Sequence, residues 1–352
     1  MKAPTKPLIL SAILIAFGQF ISISLFGQKL DNAYSYMEYM DKQYRKVMED
    51  MWDYSSATAH SKSARKIENR RKDLIVTTLK VQQSIAKMPD YNGDKGLRDS
   101  AVSFLSLSYY VLTNDFAKIV DMEEIAEQSY DKMEAYLMAQ EMADEKLNQA
   151  SDRLDNEWHD FAKRNNVKVT EGSKDKLSKN MDLANKTFKY YNTVYLVFFK
   201  SFKQDYFLSE AIQKQDINAM EQNRNSLLKF AIEGAKKLDT IKGLGGDNSL
   251  KVTLKQLLDF YKVEASVKIT VITNYYLKKE NFEKAKTEFD AKSEFVRTKD
   301  DVTQYNKALT EYNKAVADYN RVANEISQKS KLLIDNWNRS VESFLDRHVP
   351  KK

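Results

Sequence analysis

The chain has 352 residues, a formal net charge of +6 and no cysteine. Its 56 basic and 50 acidic residues are interspersed, which argues against the concentrated basic face of a nucleic-acid-binding protein. The absence of cysteine excludes thiolate metal sites and a lipidated N-terminus, so we do not expect a lipoprotein. Nine glycines and four prolines are few for this length, whereas hydrophobic residues make up 42%. This composition predicts long helices with few turns.

The segment 1–27 has the pattern of a secretory signal peptide. Lys2 and Lys6 form a basic start, and residues 8–26 are apolar apart from small or neutral side chains. We expect export and cleavage, which places the chain at the cell surface, in the periplasm or outside the cell. An uncleaved anchor is the alternative, because an apolar run of about 19 residues just spans a bilayer. No later segment is apolar enough to cross a membrane, so none is expected after cleavage.

Apolar residues recur at helical spacing along the rest of the chain, without a convincing alternating strand pattern. Polar, glycine-containing breaks occur at 89–94, 165–173 and 242–249. The helices predicted between the breaks are 29–56, 62–88, 96–113, 115–165, 175–213, 216–241, 249–296 and 300–347. The last turn of the first half stays open. Thr113–Asp115 is the only polar break there, but a turn nearer Ser129 would give helices of more equal length.

The two halves of the chain share an internal repeat with an offset of 153 residues (221 minus 68). The identical pairs at this offset are Glu68/Glu221, Arg71/Arg224, Leu74/Leu227, Gly93/Gly246, Asp94/Asp247 and Leu97/Leu250. Because the repeat includes a Gly-Asp turn as well as helices, it predicts a duplicated unit of four helices in which that turn joins the middle pair. The predicted fold class is all-α, with two tandem four-helix bundles at 28–166 and 167–352.

The second half is longer than the first, and its additional residues contain a heptad pattern. The residues that lie seven apart are Tyr305, Tyr312 and Tyr319 in one series and Phe282, Phe289 and Val296 in the other. Such spacing is typical of a coiled-coil seam, and a weak break at 297–301 separates the two series. We therefore expect an antiparallel coiled-coil hairpin at 275–335 that extends the second bundle.

A candidate pocket lies near the start of the first bundle. The segment from Trp52 to Arg65 is rich in Ala, Ser and Thr, whose small side chains permit close approach of helices. Trp52, His60 and Arg65 would line a pocket there, and the equivalent segment of the second half lacks a histidine. A tight turn with a packed histidine explains the same pattern.

A second candidate feature is an acidic helix face. Glu123, Glu127 and Asp131 are four residues apart and share one face, where like charges cost about a few tenths of a kcal/mol each. The basic residues available to offset them on the second predicted helix include Arg65, Arg70 and Arg71. A carboxylate metal site is the alternative. No histidine follows a glutamate by three residues, however, as di-iron sites in bundles require. A hard-cation site with oxygen ligands alone stays open, although no calcium-loop pattern is present. We therefore expect no metal and no cofactor.

Catalytic motifs are missing from the sequence. It contains no nucleophile elbow, phosphate-binding loop, zinc-protease motif or dinucleotide fingerprint. Three histidines and no cysteine leave few side chains for nucleophilic chemistry near neutral pH. We therefore expect no catalytic residues and a protein that is not an enzyme.

A family resemblance accompanies these patterns. It is carried by His60–Lys66, by Gly93-Asp94 with Leu97–Asp99, and especially by Asp115–Asp131. These segments resemble a group of helical bacterial surface proteins found in Leptospira and Bacteroidota, which have no assigned activity. The resemblance covers mainly residues 50–150 and implies export and an envelope or surface location.

These observations predict a non-enzymatic envelope or surface protein that acts in binding, in adhesion or as a structural spacer. Its expected partner is another envelope or extracellular protein, or a glycan. The alternative is a ligand- or metal-binding helical domain whose site lies on the first bundle.

Overall fold

The computed structural model describes residues 32–61, 63–115, 126–169 and 175–351. Over these residues the chain is all-α, as the sequence predicts, and β-type pairing is confined to single residue pairs within turns. The predicted signal peptide at 1–27 lies outside the described residues.

The helices follow one another along the chain with short connections. In chain order they are α1 Ala33–His60, α2 Ala64–Ala86, α3 Gly96–Tyr110, α4 Tyr130–Arg164, α5 Lys176–Gln213, α6 Ile217–Thr240, α7 Ser249–Val263, α8 Ile269–Asp290 and α9 Lys299–His348. Two π-helical segments, π1 Val111–Asp115 and π2 Glu264–Lys268, follow α3 and α7 directly. The helix predicted at 249–296 is therefore divided by π2 and ends at Asp290.

Polar side chains begin several of these helices. Asn32, Ser63, Ser129 and Asp216 each accept a hydrogen bond from the backbone N–H three residues further on, which satisfies a donor that the first helical turn leaves free. The cap at Ser129 shows where the last helix of the first half begins, which the sequence left open. The last helix of the first half begins at Tyr130 and not near residue 115, because the Ser129 side chain caps it there.

The chain divides into two compact units. The first unit comprises the described residues of Lys6–Thr193 together with those of Glu342–Lys352, and the second unit includes Val194–Val341. The helix α5 contributes residues to both units. The sequence-based boundary between 166 and 167 stays a prediction.

In the first unit, neighbouring helices pack on one another in chain order, α1 on α2, α2 on α3 and α3 on α4. An aromatic cluster joins the two ends of this series. The Tyr36 ring of α1 is stacked on the Phe161 ring of α4, with centroids 5.6 Å apart, and both rings contact Tyr91. The Tyr36 hydroxyl donates a hydrogen bond to the Pro89 carbonyl oxygen at 3.0 Å. Each ring pair contributes about 0.5–1.5 kcal/mol beyond its buried area.

In the second unit, α8 and the first part of α9 lie antiparallel. Ring centroids are 4.6 Å apart for Phe289 and Tyr305, 5.0 Å for Phe282 and Tyr312, and 4.4 Å for Tyr275 and Tyr319. As the residue number falls along α8 it rises along α9, so the two helices run in opposite directions. The aromatic seam predicted from the heptad spacing thus pairs these helices, whereas the supercoiling of a coiled coil stays a prediction.

The structure repeats at the same offset as the sequence. The bounds of α3 and π1 become those of α7 and π2 when 153 is added to each residue number. The ends of α1 and α5, at His60 and Gln213, also differ by 153. The π-helical segment is therefore part of the duplicated unit, although nothing in the residue pattern predicted it.

Candidate functional site

His60 holds the C-terminal segment against the end of α1. Its Nδ1 lies at hydrogen-bond distance, 2.8 Å, from Asp346 Oδ1, and its Nε2 lies 2.9 Å from the Val349 carbonyl oxygen. Trp52, on the same helix, is buried. These contacts engage both ring nitrogens of His60 within the protein.

Arg65 and Arg70 lie on α2. Arg65 is exposed near the start of the helix. The Arg70 guanidinium lies 3.4 Å from Asp73 and 3.8 Å from Asp53 of α1. Arg70 therefore lies near Asp53, the residue after Trp52. The positive charge of Arg70 is offset by the carboxylates of Asp53 and Asp73.

Arg71 connects α2 to π1. Its Nε and Nη2 donate to the two carboxylate oxygens of Glu68 at 2.9 and 3.0 Å, and its Nη1 donates to the Leu112 carbonyl oxygen at 3.0 Å. This bidentate pairing lowers the pKa of the Glu68 carboxyl. Arg71 thus bonds to a carbonyl of π1, where the π-helical pattern alters the regular backbone bonds.

The acidic face is described only in part. Glu127 and Asp131 are exposed, and Asp131 lies in the first turn of α4, where a negative charge favours the helix dipole. Glu123 lies outside the described residues. Across the part of the chain that the structure describes, no ion pair joins Glu127 or Asp131 to the arginines of α2, and no contact joins His60 to them. A ligand site built from these residues stays a prediction.

Neither a membrane span nor a clustered metal site is found in the described ranges. No helix there is long and apolar enough to cross a bilayer. No group of three or more His, Cys, Asp or Glu side chains there is arranged to hold a metal ion.

Among the described residues, the most exposed large apolar side chain lies at the hairpin tip, which is the loop 291–298 between α8 and α9. Phe295 is 99% exposed, and its neighbour Val296 is 62% exposed. Single exposed apolar residues are ordinary. A fully exposed phenylalanine beside an exposed valine, however, is the kind of side chain that interfaces bury.

Polar contacts hold the loop around these two residues. The Lys292 ammonium lies 2.6 Å from Asp301 Oδ1. Asp301 Oδ2 also accepts a hydrogen bond from the Thr298 backbone N–H at 2.8 Å, while Thr298 Oγ1 accepts one from the Asp301 N–H. The Lys292 bond, followed by those from Thr298, lowers the pKa of Asp301 to about 2. The start of α9 is thus capped and tied to the loop.

Arg297 closes the base of the loop. Its guanidinium lies 4.2 Å from the centre of the Phe289 ring, and its Nε donates a hydrogen bond to the Phe289 carbonyl oxygen at 3.2 Å. Phe289 in turn is stacked on Tyr305. The charged residue next to Val296 therefore points to the seam, while Phe295 projects into solvent.

The exposed pair Phe295 and Val296 was not predicted from the sequence, and the predicted position of Val296 was wrong. The seven-residue spacing placed Val296 in the seam after Phe289, but α8 ends at Asp290 and Val296 lies in the loop. The signal that was available is the apolar pair Phe295-Val296 between Glu294 and Arg297 in an otherwise polar turn.

No family model, curated protein or solved structure matches the chain. The features that bear on function are therefore the contacts, exposures and charges described above.

Proposed function

We propose that the chain is an exported, non-enzymatic envelope or surface protein that binds another envelope or extracellular protein through the hairpin tip. The observation that supports this proposal is the exposed pair Phe295 and Val296, held at the end of a paired-helix hairpin. Export is supported by the signal-peptide pattern at 1–27.

The charge of the tip favours a protein partner over an anionic lipid surface. Between 291 and 301 the charged residues are Lys292, Arg297 and Lys299 against Glu294, Asp300 and Asp301. Three positive and three negative charges give a net charge of zero, whereas attraction to anionic lipids calls for a basic cluster. Burying a phenylalanine side chain in a partner's pocket contributes about 1.5–3 kcal/mol, and such aromatic anchors commonly dominate protein interfaces.

The hairpin also acts as a spacer that presents the tip. Stacked rings join α8 to α9 from Tyr275 to Phe289, and the Lys278 ammonium lies 2.6 Å from Glu311 across the same pair of helices. A tip that is already ordered loses little conformational entropy when it binds. Binding and spacing are therefore two properties of one element.

Site-specific photo-cross-linking in intact producing cells tests this function. A photo-reactive amino acid replaces the exposed Ser293 in an otherwise unchanged chain, and the same amino acid at the exposed Gln328 is the control position. We expect a protein adduct of one defined mass from position 293 and not from 328, and F295S should abolish it. The matched variant V252S, which changes an exposed valine on α7, should keep the adduct.

Three outcomes would contradict the proposal. An adduct that survives F295S would show that the tip side chain does not carry binding. A lipid or glycan in place of protein in the adduct would refute the partner class. No adduct at position 293 would refute the tip as the binding element.

A further inference from the structure

Four buried oxygen-bearing side chains lie in the second unit, two on α5 and two on α7 and π2. Asp205 is 1% and Glu264 is 2% exposed, and Ser201 and Tyr261 are fully buried. Among the described residues, no hydrogen-bond partner is present for Ser201 Oγ, Asp205 Oδ2, Tyr261 Oη or Glu264 Oε2. Buried polar atoms without partners are rare in proteins, and each one calls for an explanation.

The ionisable members of this group act on one another. Burial raises the pKa of the Tyr261 hydroxyl, and the negative charges of Asp205 and Glu264 raise it further. Burial likewise raises the pKa of the Glu264 carboxyl, with a further contribution from Asp205. Ser201 lies one helical turn before Asp205 and shares its face. The charges of both carboxylates thus act on the Tyr261 hydroxyl, which has no hydrogen-bond partner among the described residues.

The two copies of the repeat differ in the charged residues at these positions. With a slip of one residue from the offset of 153, Asp53-Tyr54 matches Asp205-Tyr206. In the first unit the Arg70 guanidinium lies 3.8 Å from the Asp53 carboxylate. At an offset of 153, Arg70 corresponds to Asn223 and Val111 corresponds to Glu264. The second unit has one positive charge fewer and one buried negative charge more.

Lys268 is a positively charged residue that acts on Glu264, but it already forms an ion pair with another carboxylate. Lys268 lowers the pKa of the Glu264 carboxyl, but its ammonium lies 2.5 Å from Glu325 of α9. Asn223, at the position of the lost arginine, accepts a hydrogen bond at 2.7 Å from Gln204. Among the described residues, no cationic side chain is thus dedicated to these two buried carboxylates. Buried negative charge is costly unless protons or a bound cation neutralise it.

We propose that Ser201, Asp205, Tyr261 and Glu264 form an internal site for one hard divalent cation such as Mg²⁺, Mn²⁺ or Ca²⁺. Such ions take oxygen ligands, among them carboxylates and water, and all four side chains offer oxygen alone. The two carboxylic acids release their protons to solvent when the cation binds between them. Glu264 opens π2, and π-helical turns are frequent at functional sites. This site does not depend on the proposed binding function of the hairpin tip.

The test is a thermal unfolding experiment on the whole, metal-stripped chain at pH 6, below the pKa of about 7 to which burial raises Asp205. Each cation is added separately, and proton release is followed with a pH-indicator dye in weak buffer. A site that binds only the folded state raises Tm, so we expect at least one of the three ions to raise it by several degrees and to release protons. E264V and D205N should both abolish the response, whereas D53N, the repeat-equivalent change in the first unit, should keep it.

Both variants, E264V and D205N, are expected to fold. Valine is the residue that the first unit carries at the position of Glu264, so E264V is expected to fold, and D205N is nearly isosteric. An unchanged Tm with all three cations would overturn the proposal, and protons alone would then neutralise the pair. A rise in Tm that persists in both variants would place the cation elsewhere and would overturn it equally.

Discussion

Asp94 and Asp247, 153 residues apart (247 minus 94), begin the third helix of each repeat in the same way. Asp94 Oδ1 accepts a hydrogen bond from the Gly96 backbone N–H at 2.9 Å, and Asp247 Oδ1 accepts one from the Ser249 N–H at 2.8 Å. Each aspartate also pairs through its backbone with the residue three positions before it. The turns between the middle helices of the two repeats therefore share their hydrogen bonds as well as their sequence.

The glycine before each aspartate should be required in both repeats. Gly93 and Gly246 have φ of +85° and +89°, and a Cβ atom at either position would meet no heavy atom within 4 Å. The cost of G93A and of G246A is therefore backbone strain alone, about 1–2 kcal/mol for each. Chemical denaturation should give similar losses for the two variants, and the exposed control K95A should change stability by less than about 0.5 kcal/mol. A neutral effect of either glycine variant would contradict the equivalence of the turns.

These turns show how much of the fold the sequence predicts. Gly93-Asp94 and Gly246-Asp247 occupy equivalent positions in the two halves. This local pattern predicts a turn from the sequence alone, without information on the tertiary contacts around it. The helical period and the sparse glycine and proline likewise predict an all-α chain. The seven-residue spacing predicted that the tyrosine series at 305–319 faces Phe282 and Phe289 of α8. It did not predict Tyr275 as the partner of Tyr319.

Other features depend on tertiary surroundings that one sequence does not contain. Asp205 and Glu264 are 59 residues apart (264 minus 205) on different helices, and nothing local distinguishes them from the many exposed acidic residues. The partners of His60, at Asp346 and Val349, lie near the other end of the chain. The exposure of Phe295 follows from where α8 ends, and helix ends are the least certain part of a periodic pattern.

Arg71 should stabilise the first unit through its hydrogen bond to the Leu112 carbonyl oxygen of π1. R71A removes the bonds to Glu68 and to the Leu112 carbonyl oxygen, and a hydrogen bond to a charged group contributes about 1.5–3 kcal/mol. Because the Arg71 side chain is still 14% exposed, we expect the lower part of this range, about 1.5–2 kcal/mol, in urea denaturation. R71K keeps the charge but not the bidentate geometry, and it should lie between R71A and the wild type. The exposed control K72A should be near neutral, and an equal loss in K72A would refute the account.

The second unit should lose stability as pH rises toward neutrality. Burial raises the pKa of Asp205 to about 7, whereas an aspartate in the unfolded chain has a pKa of about 3.9. Between these values the folded state keeps a proton that the unfolded state has released. The free energy of unfolding therefore falls as pH rises, by up to about 1.4 kcal/mol per pH unit between about 4 and 7. Below pH 4 both states hold the proton, and the full contribution is present.

D205N isolates this contribution from other titrating groups. With a chelator present, the difference in unfolding free energy between D205N and the wild type should grow in favour of D205N from pH 5 to pH 7.5. Denaturant titrations at several pH values measure it. A difference that does not change with pH would contradict the buried, protonated state of Asp205.

Protease shaving of intact cells should reach the hairpin if the chain is exported to the cell surface. An antibody against 275–335 follows the hairpin, and a periplasmic protein serves as the control. We expect the hairpin epitope to disappear while the control survives. Protection until the outer membrane is opened would place the partner in the periplasm, and a cytoplasmic location of the epitope would refute export.

The central claim, that Phe295 carries binding, is tested most directly by competition in the cross-linking assay. Purified wild-type protein, V252S and F295S are each titrated against the adduct that forms from position 293. V252S should compete at the same concentration as the wild type. F295S should need at least about tenfold more, because loss of an aromatic anchor costs about 2 kcal/mol or more. Equal competition by F295S and wild-type protein would contradict the claim.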